Sequence, residues 1–264
     1  MLQTSGPVAR HRTYSWLSLL ALIPVVCFLD SDLVATRFAH GQWAADALML
    51  IYFTWMYRGA PPRLRSLMKY GVFIAAAGES LFSLVLGMYE YRLENIPLYV
   101  PPGHAVMVGA VYYFVREPFV RRHQARVCAL MLVSSIAYAG YWMIAQHDLY
   151  GALCTALFVI LVAREAESRL FFLAMFWFVA ILEQAGTRLG AWYWYDIAFE
   201  KFAWLPSGNP PSGISVFYFA FDVLCLVAYL KRNPELKARY KRLKARSEDS
   251  RAEQREDDAE LAAT

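Results

Sequence analysis

The sequence predicts an all-α fold, a polytopic membrane helix bundle of about eight transmembrane helices, and three observations predict it. The chain is 58% hydrophobic over 264 residues, above the roughly 45–50% typical of water-soluble domains. Its apolar residues gather in runs bounded by charge, Pro or Gly, and a bilayer core about 30 Å thick takes about 20 such residues in helix. Its Lys and Arg residues fall on one side when successive connections are assigned alternately to the two faces of a membrane.

The first apolar run, residues 14–29, follows Arg10 and Arg12. No A-x-A cleavage pattern follows it, so a retained signal-anchor helix is expected. Seven further runs cover residues 41–57, 67–88, 103–115, 127–145, 149–163, 170–193 and 212–230. With the N-terminus inside, only Arg37, Arg92, Arg188 and Lys201 of the 26 Lys and Arg fall outside. A miscounted helix would scramble this alternation, so an even number of spans and two cytoplasmic ends are expected, in the cytoplasmic (inner) membrane. Residues 1–122 then form one four-helix repeat and residues 123–232 a second. Residues 233–264 form a tail, basic from Lys237 to Arg246 and acidic beyond Glu248; it is expected to be a solvated flank, partly helical or disordered, or to lie along anionic headgroups.

Composition also restricts function. The net charge of +4 comes from basic residues in topogenic positions, so membrane lipids rather than nucleic acid are the expected partners. Cys27, Cys128, Cys154 and Cys225 stand singly in or beside apolar runs and read as small core residues. His40, His104 and His147 have no metal-type spacing, and no Gly-rich phosphate loop or nucleophile elbow is present. No metal or cofactor is expected.

The most informative feature is an internal repeat. Its first copy is Glu79, then Gly87-Met88-Tyr89-Glu90-Tyr91, Ile96-Pro97-Leu98, Pro101-Pro102 and Val111-Tyr112-Tyr113-Phe114. Its second is Glu183, then Gly190-Ala191-Trp192-Tyr193-Trp194, Leu205-Pro206-Ser207, Pro210-Pro211 and Val216-Phe217-Tyr218-Phe219. Two copies separated by four spans have the same orientation, as in parallel repeats, and both loops fall on the outer side.

Glu79 and Glu183 then lie within the hydrocarbon, where an ionisable group costs about 2.5–3.5 kcal/mol on insertion scales and normally faces the bundle interior or a wet cavity. Two readings follow: each acid ties helices together, or both serve general acid–base chemistry. Asp222, in the last run, is a third acid open to the same two readings. Tyr89, Tyr91, Trp192 and Trp194 read either as an interfacial aromatic belt or as an aromatic mouth over the acids that holds an apolar ligand or stabilises a cation. His104 and Asn209, in or beside the Pro-rich stretches, complete the expected substrate-binding set. The prolines are expected to break the helices, and non-helical backbone at this depth requires protein cover or water. Glu90, Glu94, Asp196, Glu200 and Lys201 are expected to be solvated.

On Glu79, Gly87-x-Tyr89-x-Tyr91, Ile96-Pro97 and Pro101, the sequence resembles the integral membrane proteins of carotenoid biosynthesis, in particular the bacterioruberin-type carotenoid hydratases. The resemblance covers about 25 residues in each half. It implies an acid that protonates a polyene or isoprenoid double bond, followed by trapping of the cation by water or an internal alkene. The sequence departs from that family where a Trp follows the Pro loop, since His104 stands near that place. The expected function is modification of an isoprenoid or other lipid by hydration, isomerisation or cyclisation. Proton-coupled transport of a small molecule or lipid, and a scaffold or assembly role, are the alternatives, because acids at mid-membrane and parallel repeats also mark transporters.

Overall fold

The computed structural model describes residues 7–165, 167–238 and 242. The chain is mostly helical: α1 (Pro7–Leu29), a short α2 (Asp32–Ala35), α3 (Gly41–Gly59), α4 (Pro62–Glu79) continued by a π-helix (Ser80–Val85), α5 (Val100–Phe114), a short α6 (Pro118–Arg122), α7 (Gln124–Gln146), α8 (Leu149–Arg164), α9 (Arg169–Arg188) and α10 (Ser215–Lys231). Four short strands lie between them: β1 (Tyr89–Tyr91), β2 (Trp192–Trp194), β3 (Ile197–Ala198) and β4 (Phe202–Pro206). Each of the eight apolar runs lies largely in a helix. Among the described residues four helices are long and apolar enough to cross a membrane: His11–Leu29, Pro62–Val85, Gln124–Gln146 and Arg169–Arg188.

Helices α5 and α9 form the centre. α5 packs against α1, α3, α4 and α9, and α9 also against α1, α7, α8 and α10. Val106, Ala110 and Val111 of α5 and Leu173, Met175 and Val179 of α9 are almost fully buried. The outer helix α7 does the reverse and exposes Leu130, Val133, Ile136 and Ile144, the last at 83%. An apolar face of that extent is costly in water and suits a lipid environment.

The ends of several predicted runs differ from expectation for identifiable reasons. Pro101 and Pro102 do not break a helix but start α5, because amides in the first turn have no intrahelical acceptor to lose. The run over residues 170–193 is not one helix: α9 stops at Arg188, Gly190 takes a left-handed φ of +74°, and the chain turns into β2. Gly87 does the same at +58° after the π-helix. These are the Gly of the two motif copies, and a left-handed backbone is open to Gly at no steric cost. Residues 234–238 of the charged tail are helical, and beyond them all but Arg242 lies outside the described residues.

Two acids anchor the chain ahead of helices α5 and α10. Asp46 Oδ1 on α3 accepts the Tyr99 N–H at 2.7 Å, just before α5. Asp148 caps α8 through Gly151 N–H at 2.9 Å and also accepts Gly208 N–H at 2.8 Å and Ser212 N–H at 2.7 Å, ahead of α10. A fully buried carboxylate is tolerated there because three amide donors replace its water.

Candidate functional site

β1 and β2 pair antiparallel, with Tyr89 opposite Trp194, Glu90 opposite Tyr193 and Tyr91 opposite Trp192. The two motif copies therefore meet directly. A strand alternates its side chains between faces, so Tyr89, Tyr91, Trp192 and Trp194 share the buried face, while Glu90 and Tyr193 share the other. All four buried rings are at most 8% exposed. They do not form an interfacial belt but lie buried, so the polar hydrogen that each carries needs an acceptor inside the protein.

Those hydrogens go to the two glutamates. Glu79, the last residue of α4, accepts from Tyr89 and Tyr91 on Oε2, the latter at 2.6 Å, and pairs through Oε1 with His104 Nε2 at 2.8 Å. Glu183 accepts the Trp192 and Trp194 indole N–H groups on Oε2 at 2.9 and 3.1 Å. The acids thus differ in their hydrogen-bond surroundings. Glu79 is held by two phenol donors and the His104 ring, whereas two indole donors, which never accept, hold one oxygen of Glu183. The π-helix begins immediately after Glu79 and puts Phe82 on the cavity wall; such bulges concentrate at functional sites.

Glu79 and Glu183 line one cavity. It is a narrow slot with about 70 Å³ of free volume. Most of the wall is apolar, with Leu19, Ile23, Val26, Met49, Met107 and Phe217 among its residues, and the polar groups gather at the acids. His104 stacks on Tyr218 with ring centroids 4.6 Å apart and planes at 16°. Tyr99, on the same wall, donates to Asp30 Oδ2 at 2.9 Å, and Arg92 clamps Asp30 from the other side at 2.6 Å.

Not every expected site residue joins this cavity. Asn209 does not line it: its Oδ1 accepts the Trp194 backbone N–H at 3.0 Å and braces β2 from the exposed side. Asp222 does not line it either, because it sits behind Tyr218 and Phe221 in a second, smaller cavity. Glu90 is not simply solvated: Tyr193 and Tyr195 both donate to its Oε2, the latter at 3.0 Å. That bond pushes the Tyr193 phenol above the usual tyrosine range. The alternation within Tyr-x-Tyr and Trp-x-Trp was accessible from sequence as a period-two pattern, whereas the pairing of the two, and the part taken by Tyr99 and the α1 side chains, carry no local signal. Among the described residues no three His, Cys, Asp or Glu side chains are grouped to hold a metal ion.

Comparison with family models, with curated proteins and with solved structures finds no match.

Proposed function

We propose that the chain is an eight-span membrane protein of the cytoplasmic (inner) membrane, built as two parallel four-helix repeats with both ends inside, that modifies an isoprenoid or polyene lipid by acid–base chemistry. The observation that carries this reading is the placement of Glu79 and Glu183 on one narrow, apolar slot with different hydrogen-bond surroundings. A slot of this kind admits a thin hydrocarbon chain more readily than a compact polar solute. The resemblance to carotenoid hydratases points the same way.

In the proposed reaction Glu183 gives its proton to a carbon–carbon double bond, and the π electrons form the new C–H bond. The resulting carbocation lies beside the electron-rich faces of Trp192, Trp194 and Tyr89. In a hydration, a water oxygen bonds to the cation and the released proton passes to the Glu79–His104 pair. In an isomerisation or cyclisation the same pair takes a proton from an adjacent C–H instead. The cycle closes when the pair gives that proton to Tyr218, which lines the same cavity, as Tyr218 passes its own hydroxyl proton to Glu183.

The test is mass spectrometry of lipid extracts from cells supplied with acyclic polyene precursors and expressing either the wild type or a Glu79→Gln, Glu183→Gln variant at equal membrane levels. A species made only with the wild type, heavier than its precursor by one water or isomeric with it, is expected. Identical extracts would overturn the enzyme reading and favour transport of an unmodified solute.

A further inference from the structure

The small cavity behind the acid slot is lined by an acid that the proposed chemistry does not use. Asp222 Oδ2 is buried and has no hydrogen-bond partner among the described residues. An unpaired buried carboxyl oxygen carries a desolvation cost that native structures normally offset with a partner or an ordered water. The cavity it lines is also lined by Gly71, Ala75, His104 and Tyr218, and the centres of water-sized molecules find about 10 Å³ in it. That is close to the roughly 10–15 Å³ that a single water needs.

Among the described residues His104 is the one side chain that both borders this cavity and hydrogen-bonds Glu79. It lines the acid slot and the small cavity alike, and its Nε2 is committed to Glu79 Oε1 at 2.8 Å. Its second ring nitrogen, Nδ1, is the remaining polar group of the imidazole. Stacking on Tyr218 and the edge contact with Phe221, with centroids 5.7 Å apart, fix the ring plane. A water in the cavity that both residues line would satisfy Asp222 Oδ2 and would have the imidazole Nδ1 as its second partner.

We propose that Asp222, one bound water and His104 form a proton relay that connects the interior of the bundle with the acid slot. Asp222 gives its proton to the water, the water gives one to Nδ1, and the Nε2 proton passes to Glu79. Net, one proton moves from Asp222 to Glu79, leaving Asp222 as a carboxylate and His104 neutral with its other tautomer. The relay lets the slot change its protonation state while its ligand keeps bulk water out. Asp222 touches no ligand in this scheme; it is a positioning and proton-storage residue. Only its purpose rests on the acid–base reading above, because the relay itself is read without turnover.

The test uses the full chain in lipid nanodiscs with nitrogen-15 histidine, the ring signals of His104 being assigned by their loss in His104→Gln. Asp222→Asn is expected to move the Nδ1 resonance of His104, leave the Nε2–Glu79 coupling in place and slow exchange of the ring proton with water by tenfold or more. Ala75→Val, which fills the water volume and keeps the acid, is expected to slow exchange equally. Unchanged Nδ1 position and exchange rate in Asp222→Asn would overturn the relay, and so would unchanged exchange in Ala75→Val should the first variant fail to fold. If product forms while these signals stay unchanged, the relay alone fails; if the signals change while no product forms, the acid–base reading alone fails.

Discussion

At the scale of single residues, the two glutamates differ by their neighbours rather than by their own chemistry. Glu79 faces hydroxyl and imidazole donors, Glu183 two indoles. Replacing either with Gln is expected to reduce product formation by about 100-fold or more, the usual contribution of a positioned acid or base; comparable yields from cell extracts would count against both roles. Trp192→Phe and Trp194→Phe keep the ring but remove one donor each, and each is expected to cost roughly tenfold, equivalent to about 1.4 kcal/mol. On the opposite strand face, Tyr193 donates to Glu90, which raises its phenol above the usual range. A group whose folded-state pKa is raised contributes stability below its unfolded pKa and loses it as pH climbs through the folded value. The stabilisation is therefore present at neutral pH and lost only in strong alkali. Glu90→Gln should bring the ionisation of Tyr193 back down in an ultraviolet titration, and an unchanged curve would refute the pairing.

At the scale of elements, the strand pair is held against its helices by close contacts and by caps. A Cβ on Gly186 of α9 would lie 2.0 Å from the Trp192 ring, so this Gly permits the indole to lie flat enough on α9 to reach Glu183. Gly186→Ala is expected to cost about 1–3 kcal/mol by overpacking and to shift the tryptophan emission; a variant with wild-type melting and emission would show that the contact relaxes freely. Asp148 does more, since it caps α8 and holds the turn before α10. Asp148→Ala leaves a cap and two further buried amides unmatched, a loss of about 3 kcal/mol or more. Thermal unfolding in detergent should show a far larger drop for it than for Asp222→Asn.

At the scale of the whole molecule, the bundle surrounds two central helices and displays apolar faces outward, most plainly on α7. The proposed topology puts the β1–β2 pair on the outer side and α6 on the inner side. In a background without the native cysteines, Tyr193→Cys should react with an impermeant thiol reagent added to intact cells, and Arg121→Cys only after lysis. Equal labelling of both before lysis would break the proposed orientation.

The sequence by itself determined the helical class, the apolar runs, the two glutamates and the paired glycines, because these depend on local composition, chain spacing and backbone sterics. It also carried the alternation of Tyr89 with Tyr91 and of Trp192 with Trp194, a strand signal hidden at the ends of runs long enough to read as helix. Only the tertiary structure decided that the two copies pair with each other, that both acids reach one slot, that His104 joins Glu79, and that Asn209 and Asp222 stand outside it. Those outcomes rest on contacts between residues far apart in the chain, such as Glu79 with His104 and Tyr218 with His104. No local pattern encodes them, since the packing of helices and the satisfaction of buried polar groups are settled only when the whole bundle closes.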